Sequence, residues 1–123
     1  MKKIYFFLFS LLLLAGYTAQ GQCTNTSAFG SAVAPTGATP VTISTCSFQS
    51  EYSTITSVIA GNRYVVTASI AGTFITMRYN TSSGIAVAAG VSPLQFTAPC
   101  SGTYFAHWNT NSSCGTASFC MTT

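Results

Sequence analysis

After Gly21 the chain carries few side chains able to do chemistry at neutral pH. It has one carboxylate, Glu51; one histidine, His107; two arginines, Arg63 and Arg78; and five cysteines, Cys23, Cys46, Cys100, Cys114 and Cys120. General acid–base and nucleophilic catalysis need such groups close together and in complementary protonation states. A serine with His107 and Glu51 would make a formal triad. There is no Gly-x-Ser-x-Gly, however, and the strand pattern around His107 leaves no sharp turn on which to present a nucleophile. A Cys–His pair is equally weak, because exported cysteines are normally oxidised. His107 is therefore expected as a strand histidine, half exposed or bonded to a neighbour, and the protein as a non-enzyme.

The cysteines show neither a C-x-x-C nor a Cys/His ligand spacing, and Cys114 and Cys120 are too far apart for a zinc knuckle. Without an aspartate the chain lacks the oxygen ligands that calcium needs, so neither metal nor cofactor is expected. In an exported domain the cysteines read as disulfide partners, with one left over. Several connectivities are open. The favoured one joins Cys23 to Cys46, tying the N-terminal arm to the first strand, and Cys114 to Cys120, closing a short loop that contains Gly115. Cys100 then stays unpaired. It lies between Pro99 and Ser101-Gly102, in a turn where its thiol would be exposed and open to another chain.

The elements that must hold these residues are strands. Residues 1–21 read as a signal peptide: Lys2 and Lys3, an apolar run from Ile4 to Ala15, then small residues up to Gly21. The run is too short to span a bilayer, which takes roughly 20 residues. Its removal leaves residues 22–123 as one domain. The formal charge of +3 includes Lys2 and Lys3, so that domain is nearly neutral. It has no basic patch for nucleic acid or for a membrane surface, and little charge to oppose self-association.

Residues 22–40, rich in Thr, Ser, Ala, Gly and Pro, read as an N-terminal arm or linker. From residue 41 to 123, β-branched and aromatic residues alternate with polar ones between turn signals. Strands are expected at about 41–46, 52–59, 64–70, 73–79, 85–89, 94–98, 103–109 and 116–122. Eight short strands without helical periodicity predict an all-β fold, an antiparallel sandwich resembling a jelly roll. Tyr64, Val66, Ala68 and Ile70 share one face of their strand. Tyr104, Ala106 and Trp108 share a face opposite Phe105, His107 and Asn109. Period alone leaves open which face is buried.

The densest aromatic cluster is Tyr104, Phe105, His107 and Trp108. Alternation sends half of such a cluster into a core, with Trp108 first among the core members. Whatever faces outward would form a binding surface of Phe105, His107 and Trp108 with Arg78, an arginine able to stack on sugars. The plainer expectation for Arg78 is a solvent-facing position or a pair with Glu51.

The segments Val58-Ile59-Ala60-Gly61-Asn62-Arg63-Tyr64, Phe74-Ile75-Thr76-Met77-Arg78, Ser92-Pro93-Leu94, Ser101-Gly102-Thr103-Tyr104 and His107-Trp108-Asn109 fall in an order that resembles a β-sandwich module of exported multidomain proteins of Bacteroidota. That module is itself similar to the bacterial pre-peptidase C-terminal (PPC) domain. The resemblance covers about residues 46–122. It implies a secreted, non-catalytic module for adhesion, assembly or accessory binding, and a cell-surface protein or a glycan as partner. It also implies neighbouring domains, whereas this sequence stops at Thr123. A small carbohydrate-binding module using exposed aromatics is the alternative.

Overall fold

A computed structural model describes residues 23–123. The expected leader lies outside the described residues. Nine strands form: β1 Ser27–Val33, β2 Ser47–Gln49, β3 Glu51–Val58, β4 Arg63–Val66, β5 Phe74–Tyr79, β6 Ala86–Val91, β7 Leu94–Thr97, β8 Gly102–Asn109 and β9 Ala117–Met121. The protein is all-β among its described residues. Five strands make one sheet in the order β1-β3-β8-β5-β6, and two ladders, β2-β9 and β4-β7, stand beside it. Every pairing is antiparallel except β1 with β3, which is parallel.

Local chemistry explains most of these elements. In β4 the alternation of Tyr64 and Val66 with Arg63 and Val65 separates an inward from an outward face, and Val66 joins the core while Val65 is exposed. The chain turns from β3 into β4 through Gly61 at φ 83°, a left-handed conformation that costs glycine little. Tyr104 holds the turn before β8. Its hydroxyl donates to the Cys100 carbonyl at 2.7 Å and accepts from the Cys100 amide at 3.3 Å. Burial pushes the pKa of this phenol up.

One core gathers Ile55 and Val58 of β3, Ile75 and Met77 of β5, and Tyr104, Ala106 and Trp108 of β8. Val66, Leu94, Phe96 and Met121 reach it from the two ladders. The Phe96 and Tyr104 rings meet at 5.9 Å between centroids, which fixes the β4–β7 ladder against the inner face of β8. Beyond the ends of β4 and β9 the chain segments meet, the Ser69 amide donating to the Thr122 carbonyl at 2.9 Å.

Three expectations need correction. The strand expected at 64–70 is β4, which ends at Val66; Ala68 and Ile70 lie beyond it, and the Ile70 carbonyl closes a turn by accepting from the Thr73 amide at 3.3 Å. No strand forms at 41–46; the element there is β2, at 47–49. The supposed arm at 22–40 contains β1, a full edge strand of the large sheet. Its small residues have little intrinsic β preference. What holds it is the backbone ladder to β3, reinforced by Ser53 Oγ donating to the Phe29 carbonyl at 2.7 Å. Its register shifts between Ala28 and Ser31, around Gly30 at φ 79°.

Candidate functional site

The outer face of β5 and β8 carries a buried polar layer. Thr76 and Arg78 from β5 lie beside His107 from β8, since Thr76 is the register partner of His107. The segment Cys23–Asn25 crosses over them. The Cys23 amide donates to Thr76 Oγ1 at 3.2 Å, and Arg78 Nε donates to the Cys23 carbonyl at 3.2 Å. The Asn25 amide donates to His107 Nδ1 at 2.9 Å. Asn25 Nδ2 donates to the carbonyls of Glu51 and Trp108, at 2.7 and 2.9 Å. Arg78 Nη1 donates to the Gly84 carbonyl at 2.6 Å.

Arg78 is thus neither solvent-facing nor a partner of Glu51. Its guanidinium satisfies backbone carbonyls that the crossing segment would otherwise bury without donors. The Glu51 carboxylate instead accepts from the Phe48 amide at 2.8 Å. His107 and Trp108 are both 0% exposed and Arg78 is 8% exposed, so none of the three offers the expected binding surface. Of that set only Phe105 is partly open; its ring lies edge-on to Tyr52 at 5.8 Å. The reason is that β8 is central to its sheet. The core covers one face, and the N-terminal segment covers the end of the other. Asn25, Thr76 and Asn109 complete the layer. Alternation puts His107 with Asn109 on one face of β8, but nothing in the sequence points to Thr76 beside them or to Asn25 as their cover.

His107 Nδ1 accepts a hydrogen bond, so the neutral ring carries its hydrogen on Nε2, which is buried and meets no acceptor in good geometry among the described residues. Burial first, and then the nearby Arg78 charge, lower the His107 pKa to about 4, and the Ser82 backbone beside the ring only partly offsets them. In the unfolded chain the ring takes a proton near the ordinary value of about 6.5. Between these values the unfolded state binds more protons than the folded state. This contribution to stability is therefore complete above the unfolded pKa, is lost as pH falls below it, and levels off near the folded pKa. Its size should be on the order of 2 kcal/mol after an allowance for solvent screening. Urea midpoints at neutral pH and near pH 5 should differ in the wild type, and much less in His107→Gln. Equal midpoints for the wild type would show that the ring is not held neutral.

The disulfides are Cys23–Cys114 and Cys46–Cys120, not the expected Cys23–Cys46 and Cys114–Cys120. The expected pairing ties an arm to a first strand at 41–46 and closes a short loop; the arm instead contains strand β1, and no strand forms at 41–46. The fold separates those partners: Cys23 lies over β5 near the loop that follows β8, while Cys46 precedes β2, which is laddered to β9. Each bridge therefore joins an N-terminal segment to a C-terminal one. Cys100 is free and exposed, as expected. In an oxidising compartment it should give a reducible dimer. Non-reducing gels should show that dimer for the wild type and only monomer for Cys100→Ser; a dimer that persists in Cys100→Ser would locate the bridge elsewhere.

The open cavity lies on the other side of the large sheet. Residues 34–41 form a strap without regular structure between β1 and β2. Beneath it is a space of about 510 Å³, lined by the strap, by Ile55 and Val58 of β3, by Met77 and Phe96, by residues 62–67 along β4, and by Ile43 and Thr123. The cavity lies between the strap and the inner face of the large sheet. On one wall is β4; on the other, the Thr123 carbonyl accepts from the Ile43 amide at 2.7 Å. None of the candidate residues read from the sequence lines it. Among the described residues no cluster of His, Cys, Asp or Glu could hold a metal ion, and no helix is long and apolar enough to cross a membrane.

Compared with known proteins, the chain matches no family model, and no curated protein or solved structure shows significant similarity to it.

Proposed function

We propose that this protein is a non-catalytic, exported β-module that works by association, in adhesion or assembly. The observation that carries the reading is a set of exposed apolar side chains on a disulfide-stapled fold whose sheet-edge strands β1 and β6 carry no charge. Strands β1 and β6 end the large sheet, and natural sheets usually guard such edges with lysine, proline or covering segments. Here no lysine stands on either edge strand. Val91 at the end of β6, Ile85 just before it and Phe119 on β9 are exposed, the last two at 73%. Two disulfides suit an oxidising compartment. The motif-level resemblance to PPC-like modules points the same way.

The test is sedimentation of residues 22–123 carrying Cys100→Ser, which removes covalent dimers. Concentration-dependent self-association is expected, and Val91→Lys should shift the distribution toward monomer. A strictly monomeric protein at high concentration would overturn association through the sheet edge.

A further inference from the structure

We propose that the cavity beneath the 34–41 strap is a binding site for a small amphipathic anion, an acyl chain ending in a carboxylate. Its floor is the core itself. Ile55, Val58 and Met77, each less than a tenth exposed, face a space of about 510 Å³ that a fully packed interior would have filled. That volume falls within the roughly 300–1,000 Å³ typical of sites for drug-sized ligands.

The roof is built differently from the rest of the fold. Its ends are fixed, by the Ala34 amide donating to the Thr56 carbonyl at 2.8 Å and by the Ile43 amide at 2.7 Å. Residues 35–42 between them make no hydrogen bond among the described residues. A side chain added at Gly37 would meet nothing within 4 Å. The strap thus stands clear of the body and can lift without breaking backbone bonds. Val33, Val41 and Val65 are exposed around the opening, so the apolar lining continues to the surface.

Charge selects the head group. Glu51 is the only acidic side chain after the leader, and it does not line the cavity; Arg63 is the only basic side chain that does. Arg63 donates one bond to Gln95 Oε1, and its guanidinium has further N–H donors for a carboxylate. An extended peptide from another chain would also find apolar walls here. The strap across the space and the single cation at its rim fit a short chain with one anionic end better.

Titration calorimetry of the folded Cys100→Ser protein with palmitate, and with hexadecanol as the uncharged analogue, tests the assignment. Palmitate is expected to bind saturably with one site per chain. Arg63→Gln, an exposed change, should weaken palmitate about tenfold and leave hexadecanol unchanged, while Val65→Glu should weaken both. No saturable binding of palmitate, or palmitate binding indifferent to both Arg63→Gln and Val65→Glu, would overturn it. So would a non-covalent dimer that Val65→Glu dissolves and palmitate does not, because a second copy would then occupy the cavity. The sedimentation result for Val91→Lys is independent of all these outcomes.

Discussion

Reduction of the two disulfides should leave the protein unfolded, or nearly so, at body temperature. Cys23–Cys114 spans a sequence separation of 91 and Cys46–Cys120 one of 74. In the chain-entropy model each loop of that size stabilises by about 4 to 5 kcal/mol when formed alone. The loops overlap, so together they contribute less than the sum. Domains of this size commonly have only about 5–15 kcal/mol in all. The first bridge does more than close a loop. It anchors the segment whose Cys23 carbonyl receives Arg78 Nε and whose Asn25 amide meets His107. Once that cover is released, two ionisable side chains are left under water rather than under backbone. A Cys23→Ser/Cys114→Ser double variant should therefore melt about 20 °C below wild type or lower, on the usual conversion for a domain of this length. Circular-dichroism melts with and without reductant provide the measurement. Curves that superimpose to within a few degrees would contradict both the pairing and its energetic weight.

Trp108→Ala should cost about 3 to 5 kcal/mol, as large-to-small changes of buried aromatics do. The indole is fully buried in the core, and its Nε1 donates to Ser53 Oγ at 2.9 Å. That hydroxyl in turn donates to the Phe29 carbonyl, so the indole sits at the start of a chain of hydrogen bonds that reaches β1. Trp108→Phe separates the two contributions. It keeps most of the apolar volume and removes the donor, for a loss nearer 1 kcal/mol. Urea denaturation monitored by circular dichroism would give both values. A loss below 1 kcal/mol for the alanine variant would mean that Trp108 lies on the surface, where the sugar-binding alternative needs it.

The sequence made the middle of the molecule easier to read than its ends. Strands β3, β5 and β8 coincide with runs of β-branched and aromatic residues, β4 takes only the first half of its run, and Tyr64 with Val66, or Tyr104 with Trp108, announce their shared faces. Alternation identifies the two faces of β8 and is silent about what covers each. Here both are covered, and a polar face holding Arg78 and His107 is buried because an N-terminal segment happens to cross it. Nor does composition reveal β1. Ser27 to Val33 is as poor in strand formers as the strap that follows, and differs from it only in having β3 alongside. The cavity is hidden for the same reason. The strap reads as linker, and only the packing of β3, β4 and Met77 beneath it gives it something to cover. The disulfides are illegible for a related reason: spacing along the chain does not show that the segments around Cys23 and Cys46 lie against those around Cys114 and Cys120.

The crossed connectivity bears on the order of events during synthesis. The chain emerges N-terminus first, so Cys23 and Cys46 are available together well before Cys114 and Cys120 exist to receive them. The thiols that meet first are a pair the finished protein never joins. Any bond formed early is a wrong one, to be undone by exchange with a later thiolate. Cys46–Cys120 must wait until β9 has docked against β2, and Cys23–Cys114 until the loop after β8 lies beside the segment that crosses β5. They therefore record a topology that strand pairing has already reached, and a cell that makes this protein needs an oxidant that can also correct its own errors.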